Sequence, residues 1–262
     1  MEDSEAIFSE AFGRFWSNWS YIMSLRQVAE VALPIAREAL TPIHAQAVDT
    51  IAADPEYSKL FIKLDGTQSP WNEKLKEFLC AGMTNTAIAN SRAAIDAASL
   101  VFAQSMLDDS AWSYCRVCAL IAPKDWEQFL EKKTVDYASV RDHTADAIRD
   151  ELLTKKLKEL EYKSLLEKVG MLFRLCKPPA NFAPIEDYTF DQKRLEAIDN
   201  RRNQIIHGNG IKVLMTDLDS DLEFVRRTSH YLMAMVNQRF GLRLHPYKVF
   251  PQPPTLSSVS ES

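Results

Sequence analysis

Glycine is scarce in this chain. Seven glycines are spread over 262 residues, and the stretches between them are rich in Ala, Leu, Glu and Lys. Those four residue types lose little side-chain freedom in a helix, whereas glycine loses the most backbone freedom. No convincing run of alternating apolar and polar residues marks a strand. The pattern predicts an all-α protein, a helical bundle with an additional N-terminal helical region.

Apolar periodicity and stop signals divide the chain. Ile7, Phe8, Phe12, Phe15, Trp16, Trp19 and Ile22 form one aromatic stripe at helical spacing, which reads as core. Pro34 is expected to kink or end a second helix over 25–40, and Thr41-Pro42 to open a third. Asp54-Pro55 and Asp65-Gly66 mark loops. Ser69-Pro70 predicts a helix start, with that helix running to about Cys80. Thr84 or Asn85 is expected to open a longer helix, and Asp108–Ser110 to cap the next. A charged helical run follows over 136–160. Ser164 and Glu167 then have the form of a capping box for a helix ending near Cys176. Lys177-Pro178-Pro179 begins a loop of about a dozen residues. Two late helices follow, separated by Gly208-Asn209-Gly210, and the Pro- and Ser-rich end reads as a disordered or draped tail. The resulting division is an N-terminal helical region over 1–80, a bundle over 84–243 and a tail over 244–262.

Charge narrows the choice of partners. The net charge of −5 argues against broad coating of nucleic acid. Residues 1–189 hold 21 Lys+Arg and 28 Asp+Glu, a balance of −7; residues 190–262 hold 10 and 8, a balance of +2. That local excess suits a short RNA segment in a cleft, and suits an ordinary surface equally well. The acidic start does not read as a leader, and no apolar run approaches the ~18 residues of a membrane span. A cytoplasmic protein without membrane partners is expected. Cys115 and Cys118 form a C-x-x-C pair inside a predicted helix, while Cys80 and Cys176 stand apart, so the cysteines read as small buried hydrophobes. His143, Asp146 and Asp150 share one helix face but read as a solvated surface. Phosphate-loop, dinucleotide, nucleophile-elbow and zinc-protease motifs are absent, so no cofactor or metal is expected.

One late helix carries an unusual element, Asp199-Asn200-Arg201-Arg202-Asn203-Gln204-Ile205-Ile206-His207. Arginine is a permanent phosphate ligand, and histidine serves as base or acid near neutral pH. Taking about 100° per residue from Leu195, Ile198 falls near 300°, Ile205 near 280° and Ile206 near 20°. On the same wheel Arg202 falls near 340°, inside that apolar stripe, with Arg201 near 240° at its edge. Asn203 and His207, near 80° and 120°, share a different face. A charge on an apolar stripe is costly unless it is paired. Arg202 therefore meets a carboxylate, lines a groove, or faces a partner chain. Since Arg202 and His207 lie roughly 140° apart on a regular helix, both act on one phosphate only if the helix loosens before Gly208 or two copies of the element share a site.

Arg202-Asn203-Gln204-Ile205-Ile206-His207 resembles the R-N-x-x-x-H signature of the HEPN superfamily. The asparagine after Arg202 favours it over Arg201 as the motif arginine. The explicit match covers about ten residues. The resemblance implies a homodimer of helical bundles with a composite active site, acting as a metal-independent endoribonuclease in an antiviral defence or toxin–antitoxin setting. It implies RNA as substrate and an antitoxin or regulatory partner. Residue by residue, Arg202 would hold the scissile phosphate, His207 would act as general base or acid in attack by the RNA 2′-hydroxyl, and Asn203 would orient one or the other. The product would be a 2′,3′-cyclic phosphate. The alternative is a non-catalytic helical module that binds RNA or protein.

Overall fold

Two helices of about 50 residues organise the molecule. The computed structural model describes residues 2–54, 73–130, 144–207 and 217–244, and every regular element among them is helical. Helix α1 spans Glu2–Ala53 and α2 spans Glu73–Ile121. At 1.5 Å per residue each is on the order of 75 Å long. A 3₁₀ segment at Pro123–Phe129 follows, then α3 (Ala145–Glu161), α4 (Leu165–Cys176), α5 (Gln192–His207) and α6 (Leu218–Phe240). No helix among the described residues is long and apolar enough to cross a membrane.

The long pair is antiparallel. Phe8 meets Tyr114, Arg14 pairs with Asp109, Arg26 with Asp96, Glu30 with Arg92, and Asp49 with Lys76. Partner numbers fall on α2 as they rise on α1, so one register holds along the whole hairpin. The end carrying the N-terminus of α1 is built into the core. There α2 buries Leu100, Ala103, Leu107, Ala111, Tyr114 and Val117 completely or nearly so. Phe8, Phe15 and Trp19 of α1 pack on them with Val169, Leu172 and Leu175 of α4, Leu195 and Ile198 of α5, and Leu222, Val225 and Leu232 of α6. Trp126 of the 3₁₀ segment is fully buried in the same cluster. The other half of the hairpin extends as a two-helix arm in which only Ala29, Val48, Cys80, Thr84 and Ala97 are buried beyond residue 22 of α1 and before Ser99 of α2.

Several expected breaks do not occur. Pro34 and Pro42 both lie inside α1. Each removes one backbone donor and crowds the carbonyl four residues earlier. Both rings face solvent, and the opposite face of α1 is pinned to α2 on either side of them, by Arg26–Asp96, Cys80 Sγ–Thr41 O and Lys76–Asp49. Tertiary contact thus holds the helix across two local breakers. Similarly, no helix ends at Cys80 or opens at Thr84, because α2 runs unbroken through both and through the boundary between residues 80 and 84. Thr84 is buried and hydrogen-bonds His44 Nδ1 at 2.8 Å. Asp108–Ser110 also lie within α2: Asp108 pairs with Lys168, and Asp109 with Arg14. Residues of cap type serve here as inter-helix partners.

Local signals are obeyed where packing does not oppose them. Ser164 and Glu167 form the expected capping box, with the Glu167 amide donating to Ser164 Oγ at 3.3 Å and the Ser164 amide donating to Glu167 Oε2 at 3.0 Å. Those donors from Ser164 hold the Glu167 carboxyl below its usual range. Helix α4 ends at Cys176, and Lys177 closes it in the left-handed region at φ 47°. Of the charged run over 136–160, the described part is helical from Ala145 and capped by Thr144. The expected loop at 65–66, the start at Ser69-Pro70, the break at 208–210 and the tail beyond 244 lie outside the described residues.

Candidate polar groove around Arg202

Helix α5 is capped at its start. Asp191 Oδ1 accepts the backbone amides of Lys193 and Arg194 at 2.9 and 3.1 Å, which caps the first turn. Leu195 and Ile198 then bury against the bundle. On the side facing α6, Arg194 stacks over the Phe224 ring at 4.8 Å, and Arg194 and Arg201 both pair with the buried carboxylate of Asp221. Arg201 at the edge of the apolar stripe is thus absorbed into a structural ion pair.

Arg202 is placed differently. It is half-buried, and no carboxylate lies within ion-pair distance of it among the described residues. Its Nη1 donates to Asn203 Oδ1 at 3.1 Å, and its buried Nε has no partner among the described residues. The side chain lines a polar cavity of about 330 Å³ between α2, α5 and the turn joining α3 to α4. Of the three environments allowed by its position on the helix, the one observed is a groove. Asn203 lines the same cavity.

Other groups in the groove come from distant parts of the chain. Gln104 of α2 donates its amide to Asp199, while its buried Oε1 has no partner among the described residues. Asp108 faces the groove and accepts two contacts from the buried Lys168 ammonium, at 2.7 and 2.9 Å. That pair neutralises one of the two carboxylates in the groove; the other, Asp199, accepts the Gln104 amide. Lys163 and Tyr162 line the mouth, and the Tyr162 ring is 80% exposed. The groove therefore offers the Arg202 guanidinium for an anion, with the Lys163 ammonium at its mouth paired to Glu167 at 3.3 Å, amide and carboxylate oxygens for donors, and one open aromatic face. Tyr162, Lys163 and Gln104 were not legible from sequence as site residues. Tyr162 sits in a turn, and Gln104 reads as a polar position on a long helix.

His207 does not join them. It is the last described residue of α5, exposed, and outside the groove lining. The 140° expected between Arg202 and His207 on a regular helix is what separates them here, because α5 is helical throughout to His207.

The remaining candidate positions have structural surroundings. Cys115 and Cys118 are fully buried in the core, with Cys80 and Cys176 also buried. Burial pushes the Cys115 thiol well up, and a hydrogen bond with Cys176 together with burial does the same for Cys118. Asp146 and Asp150 both pair with Arg149, and His143 lies outside the described residues. His230 is stacked on Phe12 and meets Trp16 edge-on, and burial lowers its pKa. No family model, curated protein or solved structure matches the chain.

Proposed function

We propose that the chain is a HEPN-type, metal-independent endoribonuclease that works as a homodimer, in a defence or toxin–antitoxin setting. The observation that carries the reading is Arg202: a half-buried guanidinium with neither a carboxylate partner nor a partner for its Nε among the described residues, lining a polar groove beside Asn203. An arginine held this way is prepared for an anion, because no internal salt bridge offsets the desolvation of its charge and a bound phosphate would.

In this reading Arg202 holds the scissile phosphate. Asn203, already bonded to Arg202, fixes the guanidinium plane. Tyr162 supplies a face on which a base stacks. The RNA 2′-oxygen forms its bond to phosphorus as the bond to the 5′-oxygen breaks. One proton leaves the 2′-hydroxyl and one reaches the departing 5′-oxygen, and His207 carries one of those transfers. Since His207 stands outside the groove of its own chain, the histidine acting at a given Arg202 comes from a second copy.

A non-catalytic RNA- or protein-binding module is the second reading, and the exposed position of His207 away from Arg202 favours it. Incubating the purified protein with RNA and a chelator, then mapping the ends, decides between them. Cleavage leaving 2′,3′-cyclic phosphates should fall about 10²–10⁴-fold in His207→Ala, the typical worth of acid–base help. Arg202→Ala should fall likewise. Mixing the two inactive variants should restore part of the activity through hybrid dimers. Cleavage that survives His207→Ala would falsify this assignment, and salt-sensitive RNA binding without cleavage by the wild type would establish the module.

A further inference from the structure

The two-helix arm carries a second apolar stripe that nothing in the described chain covers. Helix α1 turns one stripe toward α2, through Ile22, Ala29 and Val48. One residue back from this runs another: Tyr21, Leu25, Val28, Ala32, Ile35 and Ala39, all exposed. The steps alternate between four and three residues, the period of a helix seam. Val28 and Ile35 are each 63% exposed. With Val31 and Ile43 the stripe covers a sector of about 120°, at about 100° per residue, with no charged residue in it from Tyr21 to Ile43. Arg26, Glu30, Arg37 and Glu38 all fall outside that sector. An apolar stripe wider than about 100° is what a helix presents to a core.

Helix α2 continues the face. Ser91, Ala94 and Ala98 are exposed at the same three–four spacing, followed by Phe102. Tyr21 and Leu25 share with Ala98 and Phe102 a single apolar cavity of about 440 Å³. The face therefore has a bulky half on α1 and, from Ser91 to Ala98, a small-residue half on α2, with Phe102 closing its bundle end.

We infer that this face binds a second copy of the chain. The bulky and small halves complement each other only when the second copy is turned about a two-fold axis running along the hairpin. Each α1 then lies over the other copy's α2 at the same level, so large side chains meet alanines on both sides. The level is set by the pairs Glu30–Arg92 and Arg26–Asp96, which put Val28 opposite the second copy's Ala94. The uncharged α1 sector then meets Ser91, Ala94, Ala98 and Phe102, none of which is charged. The α1 stripe is about 33 Å long and the α2 face from Ser91 to Phe102 about 17 Å, which at about 10 Å per helix gives on the order of 500 Å² per partner, near the ~1,000 Å² total at the low end for a specific interface. The axis also brings Ser105 of both copies, which lines the Arg202 groove as well as the apolar cavity, to one end of the seam. The inference stands whether or not the groove cleaves RNA.

Sedimentation of the full chain tests it. The wild type should sediment at twice its 29.8 kDa. The double variant Val28→Glu/Ile35→Glu should sediment as one chain with unchanged helical circular dichroism. A second measurement covers the case in which that variant misfolds. The four native cysteines are buried, so mixing the single variants Val28→Cys and Ala94→Cys under mild oxidation should give a cross-linked dimer in denaturing gels. Val28→Cys mixed with Glu159→Cys, on the exposed side of α3, should not. A wild type that stays a monomer at tens of micromolar overturns the proposal. So does a double variant that remains dimeric, or a Val28–Ala94 cross-link no stronger than the control. A monomer that pellets with phosphatidylcholine vesicles would put a lipid surface on the stripe and overturn it equally.

Discussion

The two ends of the α1–α2 hairpin share helices, register and antiparallel sense, yet they are stabilised differently. At the bundle end, Phe8, Phe15, Leu107 and Tyr114 are closed over by α4, α5 and α6. Along the arm, small side chains such as Ala29 and Ala97 occupy the seam, and Arg26, Arg92 and Lys76 form ion pairs across it. Partly exposed ion pairs contribute about 0–1 kcal/mol each, against about 1.5–3 kcal/mol for a large apolar side chain fully buried. A continuous helix can therefore be rigid at one end and marginal at the other, and register alone reports neither.

The largest test of this contrast is Leu107→Ala. A fully buried leucine surrounded on all sides should cost about 2–5 kcal/mol in denaturant unfolding, whereas Glu38→Ala on the arm should stay within about 0.5 kcal/mol. Equal losses would break the comparison. Next in size is Pro34→Ala, which restores a donor to α1 and relieves the carbonyl of Glu30. Proline costs a helix interior up to about 3 kcal/mol. The gain should appear as slower amide exchange over the arm and little change near Leu107. Uniform slowing would mean that arm and bundle open as one unit.

The smallest effect is a pH dependence confined to the bundle. Hydrogen bonds from Arg226 and then Arg227 hold the Glu223 carboxyl down to about 2. A carboxyl depressed on folding contributes stability that is present above its unfolded pKa of about 4.5 and is lost as pH falls toward 2. Glu223→Gln should flatten that part of the acid limb, by a modest amount because the pair is largely exposed to solvent. Arm exchange rates should not respond. An unchanged acid limb in the variant would remove Glu223 from the account.

Legibility followed the reach of each signal. The Ser164–Glu167 box and the end at Cys176 rest on contacts within a few residues, and the structure obeys them. Pro34, Pro42, Thr84 and Asp108 are equally strong local signals, yet both long helices pass through them. For Thr84 and Asp108 the reason is plain, since His44 and Lys168 take up the polar groups that would otherwise cap a helix. At the candidate site, the angular position of Arg202 inside an apolar stripe was readable, and so was its separation from His207. Gln104 and Tyr162 were not, because they reach the groove from about 100 and 40 positions away along the chain.

The amino-acid order alone determined that the chain is helical, where its shorter helices stop, and that Arg202 stands where a charge needs a special environment. Those properties are set by backbone preference and by a 3.6-residue period, both local. The placement of Arg202 in a groove with no carboxylate in ion-pair distance among the described residues, and the uninterrupted course of α1 and α2, were decided by tertiary structure. Such outcomes depend on which distant helices supply burial and partners, and no period within one helix carries that information.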